Sequence, residues 1–174
     1  FDCMHRCPIA VGFRLLIMSL VDTVRAQFIE RYKKAPVLVI APGRINLIGE
    51  HTDYNEGFVL PAAVDREIVF AVAPSNTDQF NCYSIDFEEV FSFRANELKS
   101  GGQWYNYLMG VVSGFQQRGL PLSGVDCVIG GNIPTGSGMS SSAALCSGFG
   151  FAINAIFKSN LSRLDLARIG QQAE

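Results

Sequence analysis

Pro134-Thr-Gly-Ser-Gly-Met-Ser-Ser-Ser-Ala-Ala144 decides how this chain of 174 residues is organised. Before it, residues 125–129 form a short apolar run with the character of a buried strand. After it, residues 143–157 are largely apolar and of helical length. Strand, glycine-serine loop and helix in that order aim a helix N-terminus at whatever the loop encloses. Gly136 and Gly138 can take positive φ and let backbone N–H groups converge. The helix start adds unpaired N–H donors and the positive end of its dipole. Ser140, Ser141 and Ser142 add hydroxyls that can donate hydrogen bonds or ligate Mg²⁺. This is the chemistry of a phosphate cradle. It is not a Walker A loop, which needs Gly-Lys-Ser/Thr, because the loop holds no lysine. The same residues also fit a plain helix cap followed by a flexible connector. Three successive serines between two glycines and an apolar helix favour phosphate.

A second stretch, Gly43-Arg-Ile-Asn-Leu-Ile-Gly-Glu-His-Thr-Asp-Tyr-Asn55, sets a cation, two acids and a histidine close together. It follows an apolar β-branched run, residues 37–40, which reads as a buried strand stopped by a turn at Ala41-Pro42-Gly43. The stretch is too polar and too rich in turns for a core. It reads as chain entering a site, where Arg44, Glu50, His51 and Asp53 could grip a ligand rich in hydroxyls and phosphate. Two other readings stand beside that one. Glu50 and Asp53 could be turn carboxylates with Arg44 as their ion-pair partner and His51 structural. Glu50, His51 and Asp53 could also be metal ligands, although hard-metal sites usually add carboxylates and zinc sites further His or Cys. No nucleophile elbow is present, which argues against an acyl hydrolase.

Composition narrows the classes further. Fourteen basic against sixteen acidic residues leave a net charge of -2, so there is no basic footprint for nucleic acid. The five cysteines are scattered and odd in number, with no metal-ligand spacing. Cys127 and Cys146 lie in apolar segments and read as reduced core residues, which makes the cytoplasm the default location. Residues 9–21 are apolar but too short to span a membrane. Arg6 ahead of them has the order of a signal peptide, but Arg14 interrupts the stretch and no small-residue cleavage site follows. Residues 1–17 begin without methionine and read as an extension outside the fold, with Met18 as the natural start.

Val21, Val24, Phe28 and Tyr32 recur at helical spacing, which predicts an amphipathic helix over residues 21–32. Residues 58–61 and 67–73 read as separate strands. Residues 80–85 and 89–93 alternate like a pair of half-buried strands joined through Asp86. Trp104, Leu108, Val111, Val112 and Phe115 mark one face of a helix that ends near Gly119. Ser162, with Asp165 three residues on, caps a last helix through Ala173. The order predicts one α+β domain with a largely antiparallel or mixed sheet. The chain stops inside the last helical pattern, and the sequence reads as truncated.

Taken together, the two motifs resemble a known family. The stretch from Gly43 to Asn55 is similar to the galactokinase signature. The stretch from Pro134 to Ala144 resembles the ATP-binding loop of the wider GHMP small-molecule kinase superfamily, which also holds homoserine, mevalonate and phosphomevalonate kinases. The resemblance runs from about Ser19 to Glu174, and residues 1–17 carry no part of it. It implies a two-domain α+β fold with the active site between domains, of which residues 18–174 supply an incomplete N-terminal domain. It implies transfer of the γ-phosphoryl group of ATP to the anomeric hydroxyl of galactose, in galactose catabolism, by a protein that works as a monomer.

Carried over by position, Glu50, His51 and Asp53 bind sugar hydroxyls, with Asp53 as the main discriminator. Arg44 lies by the transferring phosphoryl group as the catalytic cation. Gly136, Ser137, Gly138, Met139, Ser140, Ser141 and Ser142 hold the ATP phosphates, and Ser142 and Glu174 hold Mg²⁺. The family's catalytic aspartate would follow Glu174, so these 174 residues alone are expected to be inactive. An N-acetylgalactosamine kinase and a non-catalytic galactose and ATP sensor share the scaffold. The intact His51-Thr-Asp-Tyr-Asn55 and Ser140-Ser-Ser-Ala-Ala144 runs favour the galactose-specific catalytic type.

Overall fold

The computed structural model describes residues 18–49, 55, 57–99, 101–134 and 136–174. Its organising element is β2 (Leu60–Pro74), whose C-terminal half is buried on both faces. Ile68, Phe70 and Val72 join one apolar cluster, and Val69, Ala71 and Ala73 join another. The side-chain period of two in a strand therefore divides the molecule into two layers. Three helices cover the first face: α2 (Asn106–Gln116), α3 (Ser141–Phe157) and α4 (Arg163–Ala173). The second face carries α1 (Leu20–Tyr32) through Val24 and Phe28.

The remaining strands are β1 (Val37–Ile48), β3 (Gln79–Ser84), β4 (Glu89–Arg94) and β5 (Val125–Gly131). They form one five-stranded sheet in the order β1-β2-β5-β3-β4. All neighbours pair antiparallel except β3 and β5, which run parallel. The expected α+β fold with a mixed sheet is therefore present.

Two expectations about strands need correction. The run at residues 37–40 does not stop at Ala41-Pro42-Gly43. β1 continues to Ile48, with register shifts between Pro42 and Arg44 and between Asn46 and Ile48. β1 is an edge strand, where the N–H that proline lacks is not required, and Gly43 falls within the first shift. Residues 60–61 and 67–73 likewise belong to one strand, β2, because Ala62 and Ala63 pair with Ile45 and Arg44 and pairing resumes at Glu67 with Pro42; Phe58 and Val59 precede it.

Glycines set how closely the helices sit. A methyl group on Gly148 of α3 would stand 2.3 Å from the Phe70 ring and 2.8 Å from the Ala41 side chain, so α3 lies directly on β1 and β2. Gly110 and Gly114, one turn apart on α2, admit Ala173 and Ile169 of α4, with a virtual Cβ at 2.9 Å and 2.8 Å from them. Helix α4 is capped as its sequence predicts: Ser162 Oγ accepts from Asp165 N–H at 3.1 Å. Its hydroxyl donates to the Asp165 carboxylate, which holds that group below the usual carboxylate range.

Substituting Gly148→Ala should lower the urea midpoint by an amount equivalent to about 2–3 kcal/mol with m unchanged, since the methyl overpacks against a rigid ring. An unchanged midpoint would show that α3 can lift off the sheet at little cost.

Candidate nucleotide and sugar site

The two stretches that stand out in the sequence meet through the backbone. Arg44 N–H donates to Met139 O at 3.0 Å, joining β1 to the glycine-serine loop. Gly43 makes room for this. A Cβ there would lie 3.0 Å from Met139 O and 3.2 Å from the Ile133 side chain. The shift between Pro42 and Arg44 turns Arg44 into place beside the loop, and the guanidinium forms no ion pair among the described residues.

Glu50, His51 and Asp53 lie outside the described residues. The stem of their segment is defined, however. Gly49 has φ +106°, and a Cβ on it would fall 2.6 Å from Phe58 O. The chain thus leaves and rejoins the β1–β2 hairpin at one point, on the strand that carries Arg44.

The loop is built from alternate left-handed residues: Gly136 at φ 72°, Gly138 at 73° and Ser140 at 54°. Such alternation turns successive N–H groups toward one side and forms an anion-binding concavity. No neighbour stands within 4 Å of a Cβ at Gly136 or Gly138, so backbone conformation rather than space requires glycine there. Ser137 is exposed, and its hydroxyl donates to Pro134 O at 2.7 Å. Ser140 is the N-cap of α3 but its side chain caps nothing, and no acid occupies the first turn. The dipole end and N–H donors of α3 are left for a ligand.

Ser142 and Glu174, 32 residues apart, are brought together: the Ser142 hydroxyl donates to Glu174 Oε1. The helix packing explains this. Gly110 and Gly114 seat α4 against α2, while Gly170 meets Cys146 and Ser147 of α3 at ordinary contact distance. The end of α4 is thereby carried to the beginning of α3. Cys146, one turn beyond Ser142, has its thiol pushed up to about 12, first by burial and then by the nearby Glu174 carboxylate. It is a packing residue and not a nucleophile. Cys127 is also buried and reduced, as the sequence suggested, and so is Cys82.

Beside α3 opens a cleft of about 670 Å³, into which Ser141 and Ser142 face. Its apolar wall includes Ile68, Ile129 and Leu145. Phe87 and Trp104, stacked with ring centres 5.7 Å apart, stand at its side with Tyr107. Asp86 enters the same cleft and accepts from Gly131 N–H at 2.8 Å. Burial raises the Asp86 carboxyl above its ordinary value, against the lowering effect of that bond. Sequence reading assigned Asp86 to a hairpin turn and Trp104 to a helix face, and missed both as site residues. Nothing local announces them, because the cleft forms only when the turn after β3 closes over the start of α2. A second cleft of about 630 Å³ shares Trp104 and Tyr107 and reaches Glu174. The buried Asn106 carboxamide on its wall has no hydrogen-bond partner among the described residues.

Comparison with known proteins agrees with this geometry. Residues 26–74 match the galactokinase galactose-binding signature, and residues 106–174 match the GHMP kinases N terminal domain. Residues 106–174 are thus similar to the N-terminal domain of the GHMP kinases. The chain resembles galactokinase in particular. It is 41% identical over 160 residues to galactokinase from Chloroflexus aurantiacus, and 40% over 160 residues to that from Chloroflexus aggregans. In each case the match covers 90% of this chain and 41% of the relative, so the chain spans about two fifths of the length of these proteins.

The crystal structure of Lactococcus lactis galactokinase complexed with galactose superposes with a TM-score of 0.82 at 33% identity, covering 89% of this chain and 42% of that one. Mevalonate kinase from Methanococcus jannaschii shares the fold, with a TM-score of 0.70 at 20% identity over 82% of this chain and 47% of that one. No helix among the described residues is long and apolar enough to cross a membrane.

The raised carboxyl of Asp86 makes a signed prediction. A carboxyl whose folded value exceeds its unfolded one favours the fold when protonated and penalises it when ionised. Asp86→Asn should therefore unfold at a higher temperature than the parent at pH 7. The gap should close as the pH falls below the ordinary carboxylate range, where both side chains are neutral. Thermal melts across that range would show it; a variant less stable at pH 7 would mean that the bond to Gly131 outweighs desolvation.

Proposed function

We propose that this chain is the sugar- and nucleotide-binding part of a galactokinase, which moves the γ-phosphoryl group of ATP to the anomeric hydroxyl of galactose. The observation that carries this reading is the hydrogen bond from Arg44 N–H to Met139 O. It fastens the strand with the sugar-kinase signature to the loop with the phosphate-binding conformation. Phosphoryl transfer needs acceptor hydroxyl and phosphate held together, and is catalysed mainly by positioning and electrostatics.

On this reading Arg44, placed beside the loop, stabilises charge on the transferring group. The loop N–H groups from Gly136 to Ser141 and the uncapped start of α3 hold the phosphates. Glu50, His51 and Asp53, on the segment rooted between Gly49 and Phe58, accept hydrogen bonds from the sugar hydroxyls. A carboxylate left unpaired by the wrong epimer is costly, which makes Asp53 the discriminator. The Ser142 hydroxyl and Glu174 carboxylate fit Mg²⁺, a hard cation that takes oxygen donors and keeps places for water and phosphate. Bound there, the cation would offset the repulsion between Glu174 and the phosphates. Turnover is expected of a polypeptide that also provides the aspartate implied beyond Glu174, and not of these 174 residues.

The test is calorimetric titration of the chain with galactose, N-acetylgalactosamine and MgATP. Glu174→Gln should weaken MgATP binding by roughly tenfold or more and leave galactose unaffected, the loss expected of one charge-assisted contact. Asp53→Ala should abolish galactose binding with MgATP unchanged. MgATP affinity indifferent to both Glu174→Gln and Ser142→Ala would sink the assignment of the nucleotide site.

A further inference from the structure

The cleft beside α3 holds two kinds of polar group that cannot serve the same part of a ligand. Ser141 and Ser142 stand at a helix start that attracts anions, whereas Asp86 repels them. A carboxylate in a cleft that takes a polyphosphate meets either a bridging cation, the role read above for Glu174, or a neutral, hydrogen-donating part of the molecule. In a nucleoside triphosphate that neutral part is the base or the ribose.

Asp86 is fixed before any ligand arrives. Ile85 N–H donates to Ile129 O at 2.8 Å, and Phe87 N–H reaches the Ser84 hydroxyl at 3.4 Å. Asp86 Oδ2 takes the Gly131 N–H, while Oδ1 has no partner among the described residues. The next residue, Phe87, stacks with Trp104 at an interplanar angle of 28°. Asp86 thus shares the cleft with an aromatic wall and with Ile68, Ile129 and Ile133. A planar, apolar-faced heterocycle suits such a wall better than a ribose does. Burial also makes the ionised carboxylate costly to the fold, a common mark of a group retained for a ligand.

We infer that Asp86 selects the base of the nucleotide: its free carboxylate oxygen accepts a hydrogen bond from the exocyclic amino group of adenine, so that the cleft prefers ATP to 6-oxopurine nucleotides. This rests on the cleft being the nucleotide site proposed above. The discrimination is electrostatic. A 6-oxo group would turn a carbonyl oxygen toward the carboxylate, with neither able to donate.

Trp104 is the single tryptophan of the chain and lines the cleft, so its fluorescence reports binding directly. The chain is titrated with ATP, inosine triphosphate, 2′-deoxyATP and inorganic tripolyphosphate. ATP and 2′-deoxyATP should bind alike, and inosine triphosphate at least about tenfold more weakly, the size of one hydrogen bond to a charged group. In Asp86→Asn the carbonyl keeps the Gly131 N–H and the amide turns its amino group to the cleft. The preference should then reverse toward inosine triphosphate, with tripolyphosphate affinity not reduced.

Equal affinity of the parent chain for ATP and inosine triphosphate overturns the proposal without needing any variant. Loss confined to 2′-deoxyATP would move the carboxylate to the ribose and overturn it equally. An Asp86→Asn protein that is folded by circular dichroism yet keeps the parental order of affinities also counts against it. Failure of both ATP and tripolyphosphate to bind removes the nucleotide site itself, and this proposal with it.

Discussion

One short backbone contact governs the arrangement of the site. Arg44 and Met139 are 95 positions apart in sequence, and they are joined because Gly43 has no side chain to hold the loop away from β1. The loop could not otherwise lie across the strand at hydrogen-bond distance. Its three left-handed residues then turn their N–H groups beside the strand that carries Arg44, and not out to solvent. Charge and concavity come from the motifs, but their meeting comes from an absent methyl group.

The same device recurs at a larger scale. Gly148 lowers α3 onto the sheet, and Gly110 with Gly114 lowers α4 onto α2. Each glycine in a helix interior costs about 1 kcal/mol of helix propensity relative to alanine. Close packing offsets that cost and fixes where the helix ends fall. The start of α3 and the end of α4 arrive at one place, and Ser142 bonds Glu174 there. Positions of reactive groups thus depend on residues that touch no ligand.

Much of this was legible in the chain. Periodicity located α1 and α2, an apolar run of helical length located α3, and Ser162 with Asp165 announced α4 because that cap is local. The loop was recognisable because glycines and serines before an apolar run have few structural uses. The limits of β3, β4 and β5 were read to within two residues, but those of β1 and β2 were not. Ala41-Pro42-Gly43 has the composition of a turn, and only its place on a sheet edge lets the strand run through it. Phe58 to Ala73 looked divided because Asp65 and Arg66 interrupt the apolar pattern, whereas pairing with β1 carries the strand across. Asp86 and Trp104 were hidden for a different reason. Their meaning lies in a cleft between two segments, and no spacing in one dimension encodes it.

The irregular edge of the sheet has a further consequence. Among the described residues β1 is the outer strand of the sheet, and it exposes Val37, Ile40, Leu47 and Ile48 along its length. A straight strand of that composition would be a template for another copy to add to, the first step of fibrous self-association. Pro42 removes a donor, and the two register shifts bend the strand out of the flat form that such addition needs. The distortion that brings Arg44 to the loop also makes this edge a poor seed for aggregation. A sequence idealised here for regular pairing would risk both solubility and chemistry at once.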